Sequence, residues 1–322
     1  MELGSARELK SVLLGGLRPT VRAAAEIEAM TVAVGVAPRP QGYGLAVRVS
    51  SADALQLPAM EDLLRRYATE TDVRVIGLVR AATASAASEQ PGPGGRARRP
   101  ADRLLRPGTS VAHPDVTAGT LGAFVRDQDG RVLLISNNHV LADTDRARVG
   151  DPVLSPGPAD GGRRDVDRVA TLTSFEPLSV DGNLLDLAVA ALDDGERVGG
   201  NTVPEGELSR VAQDLLDGLA VAKVGRTTGH TTGTITAVEL DGVTVDYGRG
   251  DLFTFDDCIE VEGDAGAFSE GGDSGSVVYG REAVEAAGLL FAGSTTGGAG
   301  GAGLTFCNPL ALALRTVGVT LL

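Results

Sequence analysis

Apolar and polar positions follow two different periods along this chain, and the period changes near residue 108. In the first 80 residues helices are predicted over 6–17 and 20–30, which are rich in Ala, Leu and Glu, and over 58–69, where apolar side chains recur at helical spacing. Short apolar runs at 44–49 and 73–79 predict strands. We therefore predict a small α+β N-terminal domain over residues 1–80, called the N-terminal unit, with a packing or partner-recruiting role.

The second period begins after residue 108, where short apolar runs alternate with glycine-rich turns. Asp127-Gln128-Asp129-Gly130 between two such runs indicates a β-hairpin. Many short strands of this kind are typical of an all-β sandwich or barrel. A helix is predicted over 205–218 between two halves, and a closing helix over 309–317. Further strands are predicted at 168–175, 184–192, 221–223, 233–239, 242–247, 257–262, 275–279, 287–293 and 303–306.

Residues 81–107 have a different composition from both halves. Residues 81–88 are small and polar, and 89–107 are rich in proline, glycine and arginine. Such a segment cannot bury a core, so we predict a linker. Its arginines are typical of a solvated tether or, alternatively, of a site of proteolytic nicking.

The composition of the chain excludes some classes of function but does not identify one. The 322 residues are 43% hydrophobic and carry a formal net charge of −14, which disfavours nucleic acid because phosphate binding depends on Lys and Arg. No signal peptide or membrane span is visible at the sequence level, so a cytoplasmic location is expected. Cys258 and Cys307 are expected to be buried thiols, and they show no metal-ligand spacing with the three histidines.

The most informative motif is Gly271-Gly272-Asp273-Ser274-Gly275-Ser276. Glycine lets the backbone turn tightly and lets a substrate approach main-chain N–H groups, which is what a nucleophilic serine needs. The chain has 44 glycines, so an ordinary glycine-rich loop is the alternative. The choice depends on whether a base and an orienting acid occur elsewhere.

Two further segments supply candidates for those roles. His139 follows a predicted strand directly, and histidine with an ordinary pKa near 6.5 suits proton transfer near neutrality. Asp186 lies inside an apolar predicted strand, where an unpaired carboxylate is costly, so pairing with an imidazole would explain its position. The alternatives are a structural histidine and an edge-facing aspartate.

The order His139, Asp186, Ser274 is the order of the chymotrypsin triad. Together with the segments 138–141, 186–188, 272–275 and 288–294, it resembles the trypsin-like, chymotrypsin-fold serine proteases over about residues 106–322. Val224-Gly225-Arg226-Thr227-Thr228-Gly229 looks most like intracellular, disulfide-poor members that include the plant Narrow Leaf 1 proteins. The resemblance implies a mainly β, chymotrypsin-like double β-barrel over 108–322, with barrels over about 108–200 and 218–322.

The resemblance also implies roles for neighbouring residues. The backbone N–H groups of Gly272 and Ser274 would form the oxyanion hole, and Asp273 would be buried and structural. The chain lacks an Ile-Val-Gly-Gly start, which puts activation by a new N-terminus in doubt. Where trypsin-like specificity would need an acid the chain has Phe268, which implies an uncharged pocket. The implied substrate-binding residues are Phe268, Ser269, Ala292, Gly293 and Ser294.

We therefore predict a serine endopeptidase that hydrolyses peptide bonds through an acyl-enzyme, with no cofactor or metal. Ser274 is the nucleophile, His139 the base and Asp186 the orienting acid. Two alternatives stay open: a catalytically latent trypsin-fold binding or assembly module, and an esterase using the same triad. The expected partner is a protein or peptide substrate, with no nucleic acid and no membrane. A homo-oligomer or a regulatory partner could bind through the N-terminal unit.

Overall fold

A computed structural model describes residues 1–28, 31–56, 58–82, 104–213, 215 and 218–322. The N-terminal unit begins with one long helix where two were predicted. Its strands β1, β2 and β3 form one sheet, antiparallel between β1 and β2 and parallel between β2 and β3. Its elements are α1 (Leu3–Glu28), β1 (Val32–Arg39), β2 (Gly42–Val49), α2 (Pro58–Tyr67), β3 (Thr71–Val75) and β4 (Val79–Ala81).

The first barrel closes through its own strand pairing. In order around the ring, β6 pairs with β7, which leads along the chain into β8. Strand β8 pairs with β9, β9 with β12, β12 with β11 and β11 with β10, and an Ala112–Leu154 bridge returns to the β6 end. The elements are β5 (Leu104–Leu105), β6 (Ser110–Val111), β7 (Gly119–Thr120), β8 (Ala123–Arg126), β9 (Val132–Ser136), α3 (Asn138–Leu141), β10 (Pro152–Leu154), β11 (Arg168–Phe175) and β12 (Ala188–Leu192).

The prediction of a helix over 205–218 is wrong: the described residues of that range contain no helix. Four short strands lie between the barrels instead, and Arg210–Val211 pairs in parallel with a strand of the second barrel. Tertiary pairing outweighs the local helical pattern here. The strands are β13 (Arg197–Val198), β14 (Thr202–Val203), β15 (Gly206–Glu207) and β16 (Arg210–Val211).

The second barrel is also a closed ring of six antiparallel strands. Strand β17 pairs with β18, β18 with β21, β21 with β24, β24 with β23, β23 with β22, and β22 with β17. The elements are β17 (Ala220–Gly225), β18 (Gly229–Asp241), β19 (Val243–Asp246), β20 (Leu252–Phe255), β21 (Cys258–Gly263), β22 (Val277–Gly280), β23 (Glu285–Gly297), β24 (Gly303–Pro309), α4 (Leu310–Val317) and β25 (Thr320–Leu321).

These two rings confirm the predicted fold class, a mainly β, chymotrypsin-like double barrel preceded by an α+β unit. Apolar side chains fill both barrels, with Phe124, Leu134 and Leu172 buried in the first. The closing helix is also confirmed, as α4. Among the helices in the described ranges, none has the length and apolar character needed to cross a bilayer.

The N-terminal unit shares a sheet and a core with the second barrel. Strand β1 pairs with β18, and Ile76 packs in one apolar cluster with Phe291 and Phe306. The predicted linker is therefore shorter than 81–107: Ala81 ends strand β4, which pairs with β23, and β5 begins at Leu104. The small side chains of Ala81 and Ala82 indicated a linker, but the backbone of both residues is hydrogen-bonded to β23. Residues 83–103 lie outside the described part of the chain.

Candidate active site

Ser274 lies in the loop between β21 and β22, and two glycines shape that loop. Gly272 and Gly275 have φ of +98° and +92°, a region that other residues rarely adopt. A Cβ on Gly275 would lie 2.1 Å from Ser136 Oγ, so the loop packs tightly against the end of β9. Ser274 is fully buried, and its Oγ donates to the Phe291 carbonyl at 3.3 Å.

His139 sits in the one-turn helix α3, directly after β9, and is 2% exposed. Its Nδ1 is hydrogen-bonded to Asp186 Oδ2, and its backbone N–H donates to Asp186 Oδ1 at 3.2 Å. Within the described residues, the buried Nε2 has no hydrogen-bond partner. The Ser–His hydrogen bond is thus not formed in this structure, although Nε2 is free to accept a proton.

Asp186 was predicted to lie inside a strand. In the structure it lies two residues before β12. Its backbone N–H donates to Asn308 Oδ1 at 2.8 Å rather than to a neighbouring strand. The fully buried carboxylate accepts hydrogen bonds from both the ring and the backbone of His139. The partner inferred from the cost of burying this carboxylate is therefore present.

Tyr247 is a site residue that the sequence reasoning missed. Its hydroxyl donates to Asp186 Oδ2 at 2.7 Å, and its ring meets the His139 ring edge-on, with centroids 5.4 Å apart. Burial, and then the charge of Asp186, raise the pKa of Tyr247 well above its ordinary value, so it stays a donor. Tyr247 and the imidazole thus bond the same carboxylate oxygen, Asp186 Oδ2, and together hold it in place. The signal in sequence was slight: one of four tyrosines, ending a predicted strand.

Asp273 is fully buried and already has a cationic partner inside the chain. Lys223 Nζ lies 3.2 Å from Asp273 Oδ2, and neither side chain is exposed. Burial lowers the pKa of Lys223, and the Asp273 charge opposes that effect. The carboxylate also accepts backbone N–H groups of Thr227, Thr228 and Glu270 at 2.8, 3.2 and 3.0 Å. A new N-terminus is not needed to hold the serine loop.

The strand predicted to bind substrate is already paired with a segment of the same chain. Strand β4 runs antiparallel to it, with Ala292 opposite Ala81, Gly293 opposite Arg80 and Ser294 opposite Val79. At the end of this segment, the Ala82 N–H donates to the Phe291 carbonyl at 3.0 Å. The Ala82 carbonyl accepts the Gly272 N–H at 2.6 Å. The Gly272 N–H, one of the two donors proposed for the oxyanion hole, is therefore already hydrogen-bonded to the Ala82 carbonyl.

The remaining predicted pocket residues carry no charge themselves, and Lys223 Nζ lies 5.9 Å from the centre of the Phe268 ring. Phe268 is fully buried, and its carbonyl accepts the Thr231 hydroxyl at 2.7 Å. Phe268 belongs to the same buried apolar cluster as Ala82. The Ser269 hydroxyl is hydrogen-bonded to Thr305 at 2.7 Å.

Comparisons with known proteins give structural likeness only. Thermobifida fusca protease A is 22% identical, with a TM-score of 0.47, over 68% of this chain and 99% of that one. A glutamic-acid-specific serine protease is 24% identical, with a TM-score of 0.48, over 68% and 100%. Cellulomonas bogoriensis chymotrypsin is 21% identical, with a TM-score of 0.46, over 68% and 99%. No family model and no curated protein sequence matches the chain.

Proposed function

We propose that the chain is a serine endopeptidase. Ser274 Oγ attacks a peptide carbonyl carbon, and His139 Nε2 takes the serine proton and then donates it to the leaving amine. Asp186, held by Tyr247, orients the imidazole. The backbone N–H groups of Gly272 and Ser274 stabilise the oxyanion, and water hydrolyses the acyl-enzyme. The residues in these roles need no cofactor or metal.

One observation carries this proposal: a peptide carbonyl accepts the Gly272 N–H two residues before Ser274. A preformed donor contributes to catalysis when it points at the place where negative charge develops. The buried His139–Asp186 pair supplies the other requirement, an oriented base with a free nitrogen. The buried His139–Asp186 pair is the feature that a glycine-rich loop with only a structural role would not need.

The pocket supports cleavage after small, uncharged residues rather than after Arg or Lys. Phe268 stands where a basic substrate would need a carboxylate, and Ala82 already packs into the apolar cluster around it. We also infer kinship with the disulfide-poor, Narrow Leaf 1-like members of the trypsin-like proteases. Cys258 and Cys307 support it: both are free and buried, on paired strands.

A second candidate, a catalytically latent module, is favoured by the occupied cleft. Strand β4 covers the strand that would bind substrate, and Ser274 is fully buried. Ala82→Arg places a large cation in the apolar pocket and should displace this segment, so the two candidates predict different labelling by an alkyl fluorophosphonate.

If the chain is an endopeptidase, Ala82→Arg labels faster than wild type, and Ser274→Ala in the same background does not label. If it is a latent module, neither wild type nor Ala82→Arg labels beyond the Ser274→Ala background. Arg80→Ala is the matched control, because Arg80 is exposed on the same strand and its loss should leave the labelling rate unchanged.

A further inference from the structure

The N–H group of Gly272 belongs to a peptide that has a glycine on each side, Gly271 and Gly272. Glycine adopts both signs of φ with little strain, so this peptide can turn over at low conformational cost. In a trans peptide the C=O and the N–H point in opposite directions. Turning over would therefore take the Gly272 N–H out of the cleft and point the Gly271 carbonyl into it, where that carbonyl would repel an oxyanion. A residue that holds the carbonyl outward keeps the donor inward.

Thr227 holds this peptide by its carbonyl. The Thr227 hydroxyl donates to the Gly271 carbonyl at 2.7 Å, while the N–H of the same peptide donates to the Ala82 carbonyl at 2.6 Å. A Cβ on Gly272 would lie 2.4 Å from Thr227 Oγ1, so this close approach requires glycine at 272. When the segment that ends at Ala82 leaves the cleft, the N–H loses its acceptor, and the hydroxyl of Thr227 still holds the peptide.

The Thr227 hydroxyl is itself oriented by an ion pair. Arg226 Nη1 donates to Thr227 Oγ1 at 3.2 Å, which leaves the hydroxyl hydrogen to point at the Gly271 carbonyl. Nε and Nη2 of the same guanidinium donate to the two oxygens of Asp160 at 2.7 and 2.5 Å. Asp160 lies between β10 and β11 of the first barrel. A chain of hydrogen bonds thus runs from the first barrel to the peptide that carries the Gly272 donor.

The peptide that follows Gly272 is held separately, by Thr120. The Thr120 hydroxyl donates to the Gly272 carbonyl at 2.8 Å and accepts the backbone N–H of Arg226 at 3.0 Å. Thr120 is fully buried, so this contact is shielded from water. The peptide after Gly272 is therefore fixed by the first barrel, and the orientation of the peptide before it depends on Thr227.

We propose that Thr227 is a positioning residue, which keeps the peptide between Gly271 and Gly272 turned with its N–H into the cleft; this inference deepens the proposed function and rests on it. It also assigns a role to the segment 224–229. The backbone N–H groups of Thr227 and of the next residue hold Asp273 at 2.8 and 3.2 Å, and the Thr227 side chain holds the oxyanion donor.

The test compares Thr227→Val with Thr227→Ser in the full-length Ala82→Arg chain, whose cleft should be open. Valine keeps the branched shape and the backbone N–H to Asp273 but removes the hydroxyl, whereas serine keeps the hydroxyl. Losing an oxyanion donor entirely lowers kcat about 10²–10³-fold, and a peptide that is turned over part of the time loses less. We expect Thr227→Val to lower kcat for an alanine p-nitroanilide peptide about 10-fold at unchanged KM, and Thr227→Ser to retain it within about 2-fold.

Two inhibitors distinguish this role from a general change in the cleft. A peptide aldehyde that ends in alaninal forms a hemiacetal with Ser274, whose oxyanion uses the Gly272 N–H, whereas the corresponding peptide alcohol forms none. Thr227→Val should weaken inhibition by the aldehyde about 10-fold and leave inhibition by the alcohol unchanged. Thr202→Val is the matched control, because Thr202 is also exposed and its hydroxyl donates to the Gly199 carbonyl at 3.3 Å, in β14 between the barrels. It should leave kcat and both inhibition constants unchanged.

The outcomes separate failure of this inference from failure of the proposed function. If Ala82→Arg hydrolyses the peptide and Thr227→Val keeps kcat within about 2-fold, the positioning role is wrong and the protease stands. Equal weakening of aldehyde and alcohol, or a Thr227→Ser variant as slow as Thr227→Val, also overturns the role. If Ala82→Arg neither hydrolyses the peptide nor labels with the fluorophosphonate beyond its Ser274→Ala background, the proposed function and the role of Thr227 are both wrong.

Discussion

Replacing Lys223 by methionine should leave the Asp273 carboxylate buried without the cation that bonds it. Both side chains are fully buried and their charged atoms lie 3.2 Å apart. Methionine keeps most of the apolar stem of lysine, so the change removes the charge with little loss of packing. Lys223→Met therefore tests whether this internal pair holds the serine loop.

The size of the stability loss depends on the hydrogen bonds that Asp273 keeps in the variant. Removing one partner of a buried pair costs about 3–5 kcal/mol. Asp273 still accepts three backbone N–H groups and the Thr228 hydroxyl at 2.7 Å, so we expect the lower end, about 3 kcal/mol. With about 2–4 °C lost per kcal/mol in domains of this size, the Tm should fall by about 6–12 °C.

The assay is thermal unfolding by circular dichroism, with two matched variants. Arg66→Met removes an exposed i,i+4 pair with Asp62 and should leave the Tm unchanged. The double variant Lys223→Met/Asp273→Asn removes the uncompensated charge and should recover part of the loss. A Lys223→Met Tm within 2 °C of wild type, or a double variant less stable than the single one, would refute the reasoning.

The other predictions concern the hydrogen bonds of the site and the two thiols. Tyr247→Phe removes one hydrogen bond to the Asp186 carboxylate, so kcat for peptide hydrolysis should fall about 10-fold with KM unchanged; equal rates would exclude a positioning role. Asp186→Asn should lower kcat about 10⁴-fold at an unchanged Tm, and a loss below 10-fold would contradict its role. Burial raises the pKa of Cys258 and Cys307, so neither should react with Ellman's reagent at pH 8 until the chain is unfolded; prompt reaction of the folded chain would show that the thiols are accessible.

Local patterns were sufficient to predict an all-β sandwich or barrel and to single out three candidate catalytic residues, whereas the double barrel was implied by the family resemblance. Alternating apolar residues and turn glycines specify short strands, and the cost of burying the Asp186 charge indicated a partner such as His139. Lys223, a cation inside an apolar strand, gave the same kind of signal and could have been paired with Asp273 by that argument.

Contacts between distant segments were beyond such reasoning. Nothing local to residues 79–82 shows that they pair with 291–294, because that register depends on how the N-terminal sheet meets the second barrel. The small side chains of Ala81 and Ala82 indicated a linker, whereas both are buried in apolar clusters. The hydrogen bond of Tyr247 to Asp186 likewise joins residues 61 positions apart.

The most direct test of the proposed function is a peptide-library cleavage profile of the full-length Ala82→Arg variant, in which the segment that covers the cleft should be displaced. The account predicts cleavage after alanine and other small uncharged residues, and no cleavage when Ser274→Ala is added to the same variant. Cleavage after Arg or Lys, or equal cleavage by Ser274→Ala, would contradict it.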